Sequence, residues 1–321
     1  MVTNEDDQTV NKLRISVVQY LNTAPLVRGF THGSLRGKYD LSFTVPSQCA
    51  EALRTGAADV AIIPAIEYQR IVSDGIPLTI LPDVAIASKK RVRSLLVISK
   101  VPIRQARRIA LDPSSRSTQA LVKILAAKRW QISPEFMESG PLGNDGENIA
   151  AVLTNNDAAL VIGDAALRLA IAGKSTGVMR GPDDEWFFPA AALDGLPQVY
   201  IYDVVQEWRQ LTEKPAVLAV WAARNEAFPA QVIPNDVIAD FLASRDFGVT
   251  QIPQIATEAA QKMHLPEKEL RLYLEENIDY SLDPENLLGL ERFFREGEAL
   301  NLVGALQPIS IADTAAAARF P

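Results

Sequence analysis

With one cysteine in 321 residues, Cys49, the chain can close no internal disulfide and offers no thiolate cluster for zinc or an iron–sulfur centre. Cys49 falls in SQCAEAL, the expected first turn of a helix, where a small buried packing residue is commoner than a nucleophile. Histidine is nearly as scarce: His32 and His264 stand alone, in no HExxH-type pair, which argues against a histidine metal site and a Ser-His-Asp triad. No apolar run approaches the ~18 residues of a membrane span. Positive charge is also short, with 32 Lys and Arg against 39 Asp and Glu and a net charge of −7, so long-range attraction to nucleic acid is excluded. The basic cluster Lys89, Lys90, Arg91 and Arg93 reads as a solvated strand edge, with Arg93 a candidate exception. Neither GxxxxGK[ST] nor a helix-opening GxGxxG occurs, so no nucleotide cofactor is expected. The stretch from Met1 to Lys12 is acidic and polar, without the pattern of a secretory signal, and the expectation is a soluble cytoplasmic protein without a membrane partner.

What the chain does have is apolar material for a large core, at 48% hydrophobic residues. Short Val- and Ile-rich runs alternate with amphipathic stretches, which predicts an α/β fold of parallel strands and crossover helices. RISVVQY, LSFTVP, DVAIIPA, LTILPDVAIAS (78–88), RSLLVISK, ARRIALD, FMESG, ALVIGD, QVYIYD and AVLAVWAAR (216–224) are the strand candidates. Helices are expected from Ser47 to Arg54, ended by Gly56, from about Ser115, over VVQEWRQLTEKP, and through most of the chain after Arg224. If RSLLVISK and AVLAVWAAR cross between two lobes, residues 1–99 and 219–321 form the first lobe and 100–218 the second. Two crossings make a hinge, and the cleft between lobes is the expected small-molecule site. The tail ADTAAAARF reads as peripheral.

Polar residues concentrate where strands should give way to helices, the usual ligand edge of an open parallel sheet. In QYLNTAP, Asn22 and Thr23 can bond a ligand or simply make a turn or cap, while Pro25 suits the first turn of a helix. In VPSQC, Ser47 stands at a helix start, where free N–H groups and the positive dipole end favour a carboxylate. LDPSSRST brings Ser115, Arg116, Ser117 and Thr118 together as a candidate carboxylate cradle, since Arg can grip a carboxylate through two hydrogen bonds. In VIGD, Gly163 permits close approach, and Asp164 can take a hydroxyl or cap the next helix.

Taken together, YLNTAPL (20–26), VPS (45–47), DVAIIPAIEYQRI (59–71), VRS (92–94), LDPSSRST (111–118), ALVIGDAAL (159–167) and the stretch 202–224 resemble the chorismate dehydratase family of the futalosine route to menaquinone. The likeness runs from about residue 12 to 300. It departs at Gln19 and Ala65, where the family often has serine. The resemblance implies a type II periplasmic-binding-protein-like fold and a lyase that dehydrates the dianion chorismate with no redox or metal cofactor. It implies further that Asn22 lies at the reacting carbons and that one carboxylate sits on Arg116 with Ser115, Ser117 and Thr118. Ser47, Arg93 or Ser94 would take the other. Glu67, facing a dianion, is expected to be structural and paired. Two other readings stay open: the related 1,4-dihydroxy-6-naphthoate synthase, and a cytoplasmic or extracytoplasmic binding protein for a small carboxylate.

Overall fold

The computed structural model describes residues 12–140, 147–175, 179–180, 186–189 and 198–313. The stretch before residue 12 and the alanine-rich tail from 314, both interpreted above, lie outside the described residues.

The chain opens with β1 (Arg14–Val18), α1 (Ala24–His32), β2 (Asp40–Thr44), α2 (Pro46–Thr55), β3 (Val60–Pro64), α3 (Ala65–Ser73) and β4 (Leu78–Ser88). It continues through β5 (Leu95–Ser99), β6 (Arg108–Leu111), α4 (Arg116–Leu125), β7 (Glu135–Glu138), α5 (Glu147–Asn155), β8 (Ala158–Ile162) and α6 (Gly163–Ser175). Next come β9 (Met179–Arg180), β10 (Trp186–Pro189), β11 (Gln198–Asp203) and α7 (Val204–Thr212). The return is made by β12 (Ala216–Arg224), followed by α8 (Asn235–Thr250), α9 (Ile252–Met263), α10 (Glu267–Leu272) and α11 (Pro284–Ala299).

These strands make two sheets, ordered β2-β1-β3-β12-β4 and β7-β6-β8-β5-β11-β10-β9. The expected parallel pairs are present between β1 and both β2 and β3, and between β6 and both β7 and β8. β12 runs antiparallel to β3 and β4, and β5 antiparallel to β8 and β11, so each sheet is mixed. β3 and β5 are buried along their whole length, as the unbroken apolar runs VAIIP and LLVIS require. Each large aliphatic side chain so buried stabilises the fold by about 1.5–3 kcal/mol.

Two expectations need correction. β5 belongs to the second sheet, so the chain changes lobes between β4 and β5, at residues 89–94, and not after residue 99. RSLLVISK is therefore not a crossing strand. The basic cluster is not a solvated strand edge either. It lies in the connecting loop, where Lys89 meets Asp279, Asp283 and Glu285, and Arg93 is buried against Glu269 at 2.7 Å.

The C-terminal helices pack back on the first lobe. Ser244 of α8 accepts from the Gly29 N–H of α1 at 3.1 Å and donates to the Leu26 carbonyl at 2.8 Å. Arg28 of α1 forks onto Glu258 of α9 at 2.7 and 2.9 Å. Asp279 and Ala87 exchange backbone hydrogen bonds of 2.8 Å, tying the C-terminal segment to β4. No helix among the described residues is long and apolar enough to cross a membrane.

Candidate functional site

Where the lobes face each other they leave a narrow cavity of about 50 Å³, below the about 300–1,000 Å³ common for small-molecule sites, so a ring-sized ligand requires the lobes to part. The first lobe contributes Val18 at the end of β1, Tyr20, Asn22 and Thr23 in the following turn, Pro46 at the start of α2, and Ile62 and Pro64 of β3. The second contributes Ser94 and Leu95, Ser115 and Thr118 at the start of α4, and Ile162 and Gly163 where β8 becomes α6. Among these lining residues none carries a carboxylate, imidazole, amine or guanidinium. Hydroxyls and one amide supply most of the polar side-chain groups.

Local sequence explains the placement. After β1 the chain takes a single 3-10 turn over Leu21–Thr23, closed by the Thr23 N–H donating to the Tyr20 carbonyl at 3.0 Å, and Pro25 enters α1 in its first turn. Asn22 is therefore held in the turn, not at a helix cap. Gly163 has φ +65, and a Cβ there would lie 3.2 Å from the Tyr20 ring, so glycine suits both the backbone and the neighbour. Ser115 precedes α4 without capping it through its side chain. Its hydroxyl shares a 2.8 Å hydrogen bond with that of Thr118, beside the N–H groups of the helix's first turn.

The lobes touch around this space. The Ser47 N–H donates to the Ser114 carbonyl at 3.1 Å, and Tyr20 Oη and Ser114 Oγ share a 3.5 Å hydrogen bond. The Leu21 N–H donates to Asp164 Oδ1 at 3.5 Å, and the Ile66 N–H donates to Ser117 Oγ at 3.1 Å. Desolvation raises the Asp164 carboxyl above its ordinary range, although the Leu21 N–H works against the shift. Burial likewise raises the Tyr20 phenol.

Of the residues singled out in the sequence, Asn22, Thr23, Ser94, Ser115, Thr118 and Gly163 line the enclosed space. Ser47 and Asp164 line a second hollow at the mouth, with Tyr20 shared between the two. Ser117 is spent on α3. Arg93 pairs with Glu269, and Arg116 donates to Glu67 at 2.8 Å, so neither guanidinium lines the inner space. Glu67 is fully buried, takes Arg70 at 2.7 Å, and has Arg54 at 3.6 Å. Tyr20 was missed, although its position before LNTAP was signal enough. Tyr273 was missed as well: its hydroxyl donates to Ser94 Oγ at 2.9 Å from the far end of the chain, and no local pattern marks it.

A family model described as menaquinone biosynthesis matches residues 13–299. The chain is 27% identical to the chorismate dehydratase of Thermus thermophilus over 289 residues, covering 90% of this chain and 95% of that one. It is 24% identical to the chorismate dehydratase of Campylobacter jejuni, over 88% and 92% of the two chains. Among solved structures, a protein of Archaeoglobus fulgidus superposes with a TM-score of 0.65 at 18% identity, covering 92% of this chain and all of that one. The periplasmic aliphatic sulphonate-binding protein of Escherichia coli gives 0.55 at 17% identity, over 92% and 94%. The fold is that of the periplasmic binding proteins, as the motifs implied.

Proposed function

The chain belongs to the menaquinone-biosynthesis family, and on that premise we propose that it is a lyase dehydrating chorismate to 3-[(1-carboxyvinyl)oxy]benzoate. The observation that carries this reading is the narrow cleft between the lobes, lined by Asn22 of one lobe and by the hydroxyl-bearing Ser94, Ser115 and Thr118 of the other. Loss of the C4 hydroxyl and the C3 proton aromatises the ring, so the substrate itself supplies much of the driving force. The site has to hold a dianion, exclude water and assist one proton transfer.

The lining suits that division of labour. One substrate carboxylate docks at the first turn of α4, where the dipole end, free N–H groups and the Ser115 and Thr118 hydroxyls converge. Arg116 serves from behind, through Glu67, and does not grip the ligand. An amide is a poor base, so Asn22 orients the leaving hydroxyl or stabilises developing negative charge. The proton passes to the substrate's own enolpyruvyl carboxylate, since no lining side chain is a base of suitable strength. Opening and closing occur at the two passages between sheets, around residues 89–94 and 213–215.

Incubation with chorismate, followed by chromatography, should yield the aromatic enolpyruvyl ether. Binding of chorismate without product would defeat the proposal in favour of a carboxylate-binding protein or the naphthoate synthase. Asn22→Ala is expected to lower kcat by about 100- to 1,000-fold, the usual loss for one preorganised donor at a reacting centre. Full turnover in that variant would sink the role given to Asn22.

A further inference from the structure

Ser94 lies in the loop that carries the chain from one sheet to the other, and three separate groups fix that loop. Asp203, at the end of β11, accepts the backbone N–H of Val92 at 3.1 Å and that of Arg93 at 2.6 Å. Glu269 of α10 takes the Arg93 guanidinium at 2.7 Å. The Gly163 N–H donates to the Ser94 carbonyl at 2.8 Å. Arg93 itself holds φ +64, a left-handed conformation that persists for a long side chain only where its surroundings over-determine it.

The fourth group is Tyr273. Just after α10 the helix widens into a π turn over Tyr273–Asn277, a distortion that often accompanies functional positions. Its first residue, 2% exposed, places its hydroxyl 2.9 Å from Ser94 Oγ as the donor. Desolvation raises the Tyr273 phenol, which keeps it protonated and donating. A serine oxygen that is already accepting has its own proton left over, and Ser94 lines the ligand space.

We infer that Tyr273 is a positioning residue: by donating to Ser94 Oγ it turns the Ser94 proton into the cleft, where it donates to an anionic oxygen of the bound carboxylate substrate. The C-terminal helices, remote in sequence from the cleft, thereby set the polarity of one of its walls. This rests on the dehydratase reading for the identity of the ligand, though not for the existence of the hydrogen bond.

The test is a double-mutant cycle with chorismate, read both as affinity by calorimetry and as kcat/KM. Tyr273→Phe and Ser94→Ala should each lower both by about tenfold, the size of one lost neutral hydrogen bond. Tyr273→Phe should have no further effect once Ser94 is alanine. Replacing Tyr273 with 3-fluorotyrosine keeps the hydroxyl and should retain wild-type behaviour. Additive losses, an unchanged Tyr273→Phe, or loss of its cooperative melt would each overturn the inference, the last by marking the hydroxyl as structural. Chorismate bound with a non-additive cycle in affinity but never converted would defeat the dehydratase reading alone.

Discussion

Glu67 concentrates charge more than any other residue near the cleft. One buried carboxylate at the start of α3 receives Arg70 from its own helix, Arg54 from α2 and Arg116 from the opposite lobe. Removing its charge takes the one carboxylate from Arg70 and Arg116, while Arg54 keeps Asp74 and Glu51, so Glu67→Gln should destabilise by about 2–3 kcal/mol, less than for a wholly dry cluster because water reaches the arginines. Urea unfolding measures this, and an unchanged midpoint would contradict it. Tyr280 presents the opposite case. Its hydroxyl is buried, and among the described residues it has no hydrogen-bond partner, so Tyr280→Phe should leave the melting temperature unchanged or raise it. Gly163→Ala combines a left-handed backbone with a Cβ pressed on the Tyr20 ring. A loss of about 1–2 kcal/mol is expected from the backbone alone, checked by the same unfolding curve.

At the level of helices and strands, α1 and α8 approach closely at their glycines, Gly29 and Gly248. A Cβ on Gly248 would lie 1.7 Å from the Pro25 carbonyl oxygen. Backbone would have to move, and Gly248→Ala should destabilise by about 1–3 kcal/mol or more while tilting the helix that follows Asn22. The start of α11 gives a pH-dependent prediction. Asp283 caps Asn286 and takes Lys89 at 2.6 Å, and these bonds hold its carboxyl below the ordinary range despite some burial. A lowered folded-state pKa means stability that is present above the unfolded value, about 3.9, and lost as pH falls through the folded one. Asp283→Asn, which can still cap, should therefore melt below wild type at pH 7, with the gap closing as the pH falls below that range.

Strands were the legible elements. LTILPDVAIAS and AVLAVWAAR coincide with β4 and β12 because long buried runs bounded by proline or charge leave little freedom in placement. Pairing direction was not legible, since an apolar strand buried on both faces reads alike whichever way its neighbours run. For the same reason the run LLVIS does not reveal which sheet it joins, and the structure places β5 in the second. The cleft was legible at Asn22, Ser94, Ser115 and Thr118, where short polar motifs follow strands. Arg116 and Arg93 were not, because a sequence shows a guanidinium without the Glu67 or Glu269 that occupies it.

For the molecule as a whole, Arg116 is a side chain that ties the second lobe to the first, through Glu67. Arg116→Ala should widen the unliganded protein in small-angle scattering and raise KM more than it lowers kcat; an unchanged radius of gyration would count against it. The strand order carries one more consequence, for synthesis on the ribosome. β12 sits between β3 and β4, yet it is made only after every strand of the second sheet. While that stretch is translated, at about 5–20 residues per second, β3 and β4 wait for several seconds or more with facing edges unpaired. The second lobe, continuous from β5 to β11, can finish first. The nascent first lobe is then the part exposed to aggregation and chaperone capture, and slowing translation just before β12 should lower the soluble yield without altering the protein that emerges.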